Sequence, residues 1–523
     1  MKKIMIEAFE LKRQGYYKQA IELYYKLLSE TDDNVEILTE LADLYYLMKN
    51  NKKSVHYIDK VLEIEPNHVQ CLKILKKIYE QQQEFDSAID IAKHICNIDS
   101  SKESVLELLE ILYRQGNYED VCKYNVDDSN KEGLLLKAKS YYKLLKYDDA
   151  KNVLEKLDNN DEASILLLGK IYYKTGNVDK VKEVYKKLKE IDLKDSESLN
   201  FVGLNYVEEL DFDKAIECFK KAIEIKDNEA KYYYNLGQAY FLKGWIDEAK
   251  NSFNKAICLN PLEESYHYSL AYLYYRIGDY DNAFVHLEGD TDGEESLNSK
   301  ILKLVIQAEK GDLAKPKIEL EKMLKDNPNN ESILYSLAKI YYKLDMFKQA
   351  KAIMQDVLKL NSKSFEYNEY YIRLLLKLEE LDEAKKLIDE LIEKYPKYYY
   401  AKVLEAEYYM LIDDNESLYD VAQELIELEM NHYEGYYFNA AALFEQGDVN
   451  FAIESLKKAI TLDVNNADLY LKMAEFYQAM GRYEDAFEYI KEASDIDKSA
   501  KNRELYMQLS AIVRKRNLSQ DKV

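Results

Sequence analysis

The stretch that decides the fold runs from Ala230 to Glu263 and reads AKYYYNLGQAYFLKGWIDEAKNSFNKAICLNPLE. Its apolar residues recur with the period of an amphipathic helix over Lys231–Lys243, and again over Asp247–Leu259. Gly244 separates the two runs and Pro261 follows the second, as expected of a turn and of a helix end. The stretch therefore predicts two short helices joined by a tight turn.

The same pattern recurs along the chain with a period close to that of this stretch. Numbering Ala230 as position 1 and extending the register gives repeats that start at Met1, Val35, Val69, Lys102, Lys131, Glu162, Ser196, Ala230, Glu264, Leu297, Glu331, Phe365, Tyr399, Tyr433 and Ala467. Position 20 is Ala or Ser in eleven of these fifteen repeats, because a larger side chain would overpack the contact between two close helices. Eight of the 15 glycines fall at position 15 and four of the five prolines at position 32. The turn and the helix end therefore recur together with the helices.

The aromatic and small residues of the stretch resemble the tetratricopeptide repeat (TPR) pattern, with Tyr where that family most often has Trp. The residues that carry the resemblance include Gly237, Tyr240, Ala249, Ala256 and Pro261. The resemblance covers residues 1 to about 498. It implies an all-α fold, a right-handed α-solenoid or superhelix of about fifteen TPR helix-turn-helix units. A further apolar stripe in residues 499–523 predicts a C-terminal capping helix and tail.

Two irregularities subdivide this predicted solenoid. The spacing of position 20 shortens between Val121 and Val181, which predicts shortened second helices. After Leu287 the acidic stretch EGDTDGEES replaces the end of a helix. We therefore expect one continuous array with sections 1–125, 126–287 and 288–498, followed by the tail.

Composition narrows the functional classes. Asp and Glu number 97 against 73 Lys and Arg, a formal net charge of −24, which disfavours binding to nucleic acid over the whole surface. The five cysteines are scattered, which favours a reducing compartment over a disulfide framework. No apolar stretch has the length of a membrane span. We therefore expect a cytoplasmic protein.

The sequence carries no pattern typical of catalysis. It has no nucleophile elbow, phosphate-binding loop or dinucleotide-binding glycine motif. The six histidines are spread over four repeats, and Asp290–Glu295 has its Gly two places too early for an EF-hand loop. We expect no enzyme activity, no metal and no cofactor.

Helix periodicity separates two faces of the first helix in each repeat. Positions 4, 8 and 11 form one face, which predicts buried rings for Tyr240 and Tyr274, and positions 5, 9 and 12 form the next. The resemblance implies that the second face lines a concave peptide-binding groove. The candidate groove residues are Tyr234, Gln238, Phe241, Tyr268, Tyr272 and Tyr275. A candidate basic stripe comprises Lys139, Tyr142, Lys143, Lys170, Tyr173, Lys174, Lys339, Lys343, Arg373 and Lys377.

These surfaces predict a protein–protein interaction scaffold or adaptor that binds peptide segments, with acidic or aromatic partner segments favoured. Two explanations of the surfaces stay open, since the 49 tyrosines also fit a compositional bias and the lysines also fit a solvated face. The alternative functions are an RNA-binding helical-repeat protein and a regulatory or substrate-recruiting subunit of an enzyme encoded on another chain.

Overall fold

The computed structural model describes residues 2–31, 34–157, 161–288, 296–396, 398–497, 504–508 and 510–511. Over these residues the chain is all-helical, with no strand. Its thirty main helices are α1 (Lys2–Arg13), α2 (Tyr17–Leu28), α3 (Val35–Leu47), α4 (Asn51–Ile64), α5 (Val69–Gln82), α6 (Phe85–Ile98), α7 (Lys102–Arg114), α8 (Tyr118–Lys123), α9 (Lys131–Lys143), α10 (Tyr147–Leu154), α11 (Glu162–Lys174), α12 (Val178–Lys189), α13 (Ser196–Glu208), α14 (Phe212–Ile225), α15 (Ala230–Lys243), α16 (Ile246–Leu259), α17 (Glu264–Arg276), α18 (Tyr280–Glu288), α19 (Leu297–Glu309), α20 (Ala314–Asp326), α21 (Glu331–Lys343), α22 (Phe347–Leu360), α23 (Phe365–Lys377), α24 (Leu381–Lys394), α25 (Tyr399–Leu411), α26 (Asn415–Leu428), α27 (Tyr433–Glu445), α28 (Val449–Leu462), α29 (Ala467–Ala479) and α30 (Tyr483–Ile496). Consecutive helices form fifteen pairs, helix A and helix B of each repeat, which confirms the predicted all-α array.

The helix pairs are grouped into two compact units. Unit 1 comprises Met1–Val202 and unit 2 comprises Gly203–Val523. The finer sections that the sequence suggested, with boundaries at 126 and 288, stay a prediction. The acidic stretch after Leu287 lies mostly outside the described residues, between the end of α18 at Glu288 and the start of α19 at Leu297.

Close packing of helix B on helix A explains the small residues of the sequence. The residue at position 20 is buried in all fifteen repeats. Position 8 lies opposite position 24, and a Cβ added to Gly237 would lie 2.7 Å from Cδ1 of Phe253. Gly203 faces Phe219 in the same way, at 2.6 Å. In these repeats glycine makes room for a phenylalanine ring that fills the centre of the helix pair.

The turn between the two helices requires a left-handed backbone at position 15. All eight glycines at this position have φ between 69° and 100°. The other seven repeats adopt the same conformation without glycine, at Lys49, Gln83, Leu145, Leu210, Asp345, Glu379 and Asp413. The left-handed conformation costs a residue with a side chain about 1–2 kcal/mol. Packing of the helix pair must therefore hold the turn in this conformation in these seven repeats.

A second buried position was not predicted from the sequence. Position 3 of helix A is buried in every repeat after the first, with Tyr232 only 2% exposed. Gly435 occupies this position in α27, and a Cβ added there would lie 3.1 Å from the backbone N of Ile426 in the preceding helix B. Position 3 is therefore the contact between one repeat and the previous one.

The predicted shortening of helix B occurs in α8 and α10, which have six and eight residues. The segment after α8 remains attached to the core of unit 1. Val126 is 6% exposed, and the Asn130 side chain accepts a hydrogen bond from the Gly133 N–H at 3.0 Å. Asn130 also donates to the carbonyl of Lys102 at 3.2 Å. An ordered turn thus replaces part of the missing helix.

The predicted capping helix is described over residues 504–508 and 510–511, which are helical. Leu505 and Tyr506 pack against the last repeat, and the Tyr506 ring stacks on Phe487 at a centroid distance of 5.2 Å. The basic residues that flank this stripe in the sequence lie outside the described residues; they are Arg503, Arg514, Lys515 and Arg516. Among the helices that the structure describes, none is long and apolar enough to cross a membrane.

Candidate binding surface

The six candidate groove residues lie on α15 and α17 of unit 2, and all six are half-buried. Gln238 donates to the hydroxyl of Tyr234 at 2.7 Å. The Phe241 ring meets Tyr272 edge-on at a centroid distance of 5.9 Å, and Tyr275 lies 5.9 Å from Tyr272. The two helices therefore present one connected aromatic surface with polar groups at its edge.

Two further helices, α21 and α23, approach this surface from more distant repeats. Tyr272 on α17 donates to Oε1 of Glu366 on α23 at 2.8 Å, across 94 residues of sequence. Tyr335 on α21 donates to the same oxygen at 3.1 Å. The Lys339 ammonium lies 3.8 Å from Glu366 and 4.4 Å above the Tyr335 ring. Side chains of α17, α21 and α23 thus meet at the candidate groove of unit 2.

Desolvation in this groove shifts the acid–base behaviour of its side chains. Burial raises the pKa of Tyr268 to about 12, so its hydroxyl is a hydrogen-bond donor at neutral pH. Burial lowers the pKa of Lys339, although Glu366 opposes this shift. Burial also raises the pKa of Glu369, against the hydrogen bond from Tyr398 and the charge of Arg373. Burial therefore opposes charge on each of these three side chains.

The basic residues of the stripe in unit 2 are mostly paired with carboxylates. Lys343 lies 2.7 Å from Glu309, and Nε of Arg373 lies 3.2 Å from Glu407. Lys377 is exposed, with its ammonium 5.7 Å from the centroid of the Phe347 ring. Most of the charge that the sequence offered as a stripe is neutralised within the unit.

The stripe in unit 1 is more open. Lys170 pairs with Glu197 at 2.6 Å, whereas Tyr173 is 60% exposed. Tyr142 is half-buried, with its ring 5.8 Å from Tyr147. The remaining three members make no ion pair with the residues that the structure describes; they are Lys139, Lys143 and Lys174.

The two tyrosines at position 11 differ. Tyr240 is 6% exposed and stacks on Trp245 at 5.7 Å. The expectation that Tyr274 is equally buried is wrong, because its side chain is half-buried and stacks on His286 at 5.6 Å. The pairing helix α18 has only nine residues, so less of helix B is present to cover it.

A long-range contact joins α15 to the loop before α27, within unit 2. The His432 Nε2 lies 2.9 Å from the carbonyl oxygen of Lys243, across 189 residues of sequence. The Lys243 ammonium pairs with Asp213 and lies 3.9 Å from Glu429. A cleft of about 270 Å³ lies beside this contact. Two distant parts of the repeat array are thus held together at one edge of the unit.

Sequence reasoning missed several of the side chains that shape this groove. Arg276 lies at position 13, the position that supplied Lys143, Lys174, Lys343 and Lys377 to the basic stripe, so the same pattern could have found it. Glu366 lies at position 2, which is Glu in six of the fifteen repeats, so this recurrence could also have found it. Tyr398 lies just before α25, at the last position of its repeat, where no other repeat has Tyr. In the described ranges, no group of three or more His, Cys, Asp or Glu side chains is placed to hold a metal ion.

Four sequence families match parts of the chain. The family described as "TPR repeat" matches residues 203–244 and 440–481. Two further families are both described as "Tetratricopeptide repeat". One matches residues 162–195, 230–261 and 467–499, and the other matches residues 132–161. The family described as "Anaphase-promoting complex, cyclosome, subunit 3" matches 13–95 and 318–391. The matches that begin at 162, 230 and 467 start at the first residue of predicted repeats.

Individual relatives are distant. Anaphase-promoting complex subunit 7 of Arabidopsis thaliana is 21% identical over 126 residues, which are 23% of this chain and 23% of that protein. The crystal structure of the APC/C hetero-tetramer Cut9–Hcn1 is 13% identical over 96% of this chain and 95% of that chain, with a TM-score of 0.43. Yeast Tom70 is 17% identical over 99% and 96% of the two chains, with a TM-score of 0.36.

The repeated sequence pattern, the fifteen helix pairs and the family matches agree with one another. Small residues lie where the helices touch, and the turns and helix ends follow the same register. The chain belongs to the tetratricopeptide repeat family.

Proposed function

We propose that this chain is a non-catalytic scaffold or adaptor that binds peptide segments of partner proteins in the groove of unit 2. The observation that carries the proposal is the half-burial of the candidate groove side chains, in contrast to the fully buried residues at position 20. Rigid aromatic rings that keep part of their surface exposed lose little conformational entropy when a partner covers them. The groove offers such rings together with hydrogen-bonding and charged groups.

Membership of a larger assembly is a second reading, and it is compatible with the first. Residues 13–95 and 318–391 match the family of anaphase-promoting complex subunit 3. This match supports a role as a structural or regulatory subunit beside other chains. Nothing comparable favours RNA, since several basic residues are neutralised by carboxylates and the net charge is −24. The five cysteines are all unpaired, which supports a reducing compartment such as the cytoplasm.

Affinity capture from an extract of the source organism, with cross-linking and mass spectrometry, tests the groove assignment. The variant carries Tyr268→Ala and Tyr275→Ala together, and the control carries Tyr16→Ala, a tyrosine that is 56% exposed in unit 1. We expect partners cross-linked to α15 and α17 to be lost from the double variant and retained by the control. Equal recovery of those partners by both variants would show that the groove is not the binding surface.

A further inference from the structure

Arg276 is the last residue of α17 and lies beside the candidate groove residues Phe241 and Tyr272. Its guanidinium carbon lies 5.9 Å from the centroid of the Phe241 ring, and the side chain is hydrogen-bonded to Tyr272. Tyr400 on α25 also lies within its electrostatic reach. Arg276 forms no ion pair with any carboxylate of the described residues, and its side chain is exposed.

The carboxylates near Arg276 are engaged by other groups. Glu366 accepts hydrogen bonds from two tyrosine hydroxyls and faces Lys339, as described above. Glu369 accepts from Tyr398 and lies 3.7 Å from Arg373. Arg373 therefore has its carboxylate partners, Glu369 and Glu407, whereas Arg276 has none. A guanidinium carries five N–H donors, and Tyr272 uses few of them.

The surroundings of Arg276 define the chemistry of a ligand. Its planar fork matches a carboxylate bidentately, and the neighbouring rings of Phe241 and Tyr272 suit an apolar side chain. Glu366 and Glu369 lie within electrostatic reach and repel a doubly charged phosphate more strongly than a singly charged carboxylate. Arg276 is thus an uncommitted positive charge beside the aromatic side chains of α15 and α17.

We propose that Arg276 binds the carboxylate of an aspartate or glutamate in an extended partner peptide, with the adjoining apolar residue against Phe241. This inference rests on the proposed groove function and adds the chemistry of the segment that the groove selects. The preference is local, because it comes from a single arginine within a strongly acidic chain.

Fluorescence anisotropy with three labelled peptide pools tests the proposal on the full chain. The pools share randomised flanks and differ in a fixed central pair: Glu-Leu, Gln-Leu or phosphoserine-Leu. We expect the Glu-Leu pool to bind about tenfold tighter than the Gln-Leu pool, the effect of one charge-assisted hydrogen-bond pair. Arg276→Gln should abolish the preference and Arg276→Lys, which keeps charge without the fork, should reduce it.

The matched control is Arg114→Gln, which removes an arginine at the same position 13 in a repeat of unit 1. Arg114 is exposed and paired with Glu110, so Arg114→Gln should leave the preference for the Glu-Leu pool unchanged. Three outcomes would overturn the role of Arg276. They are equal binding of the Glu-Leu and Gln-Leu pools, a preference for Glu that survives Arg276→Gln, and tighter binding of the phosphoserine pool. If all pools bind equally but the double variant Tyr268→Ala and Tyr275→Ala binds them more weakly, the groove function stands without a role for Arg276. If no pool binds, both the groove function and the role of Arg276 fail. Circular dichroism melts of each variant check that it is folded.

Discussion

Replacing Gly244 by alanine tests whether the contact between α15 and the loop before α27 holds unit 2 together. Gly244 has φ +83°, and a Cβ added to it would lie 2.5 Å from both Cε1 and Nε2 of His432. Gly278 is the matched control, because it has φ +78° at the same repeat position and nothing within 4 Å of an added Cβ. Both alanines carry the same backbone strain, and only the first displaces a side chain.

The expected difference between the two variants follows from the contacts that His432 makes. Displacing its ring breaks the hydrogen bond from Nε2–H to the Lys243 carbonyl, which contributes about 0.5–1.5 kcal/mol. The ring also leaves Tyr399, whose centroid lies 4.6 Å away, at a further cost of about 0.5–1 kcal/mol. The shared backbone strain is about 1–2 kcal/mol in each variant. We therefore expect Gly244→Ala to destabilise the contact by about 1–2.5 kcal/mol more than Gly278→Ala does.

Amide hydrogen exchange is the appropriate assay, because a repeat array opens locally and a single melting temperature averages over its repeats. Exchange should accelerate in the peptides that contain Lys243 and His432 in the Gly244→Ala protein, and remain unchanged there in Gly278→Ala. In a His432→Ala background the added effect of Gly244→Ala should fall to that of Gly278→Ala. An unchanged effect in that background would refute the steric coupling between Gly244 and His432.

Two further predictions concern the core and the groove. Tyr240→Ala removes a ring that is 6% exposed and should destabilise unit 2 by about 3 kcal/mol or more. Tyr268→Ala removes a half-buried ring and should lower the melting temperature much less. The reverse order of the two melting temperatures would contradict the assignment of the two faces. Burial raises the pKa of Glu369, so the folded chain binds the proton of this carboxyl group more tightly than the unfolded chain does. The contribution of Glu369 to stability therefore falls as pH rises from about 4 through the folded pKa. Glu369→Gln should therefore gain stability relative to the parent protein as pH rises above about 4. Melts that show a relative loss on raising the pH would contradict the prediction.

Local sequence rules determined the repeat architecture. Glycine at position 15, proline at position 32 and small residues at position 20 each answer a requirement within one helix pair, so a register drawn from Ala230–Glu263 locates helices throughout the chain. The same rules separate Tyr240, which is buried in its pair, from Tyr268 on the adjacent face. These features need only the period of one helix and the chemistry of one turn.

Contacts between repeats were decided by tertiary structure. The burial of position 3 depends on the preceding helix B, and the turn at Leu210 is left-handed without glycine because packing holds it there. The bonds from Tyr272 to Glu366 and from His432 to Lys243 join residues 94 and 189 places apart. Which side chains meet at such separations depends on the small rotation that each repeat adds to the last. That rotation arises from the packing of whole helices and has no local signature in the sequence. The sequence therefore predicts which helix face Tyr268 and Tyr272 share, whereas the stacking of the repeats leaves Arg276 without a carboxylate partner in the part of the chain that the structure describes.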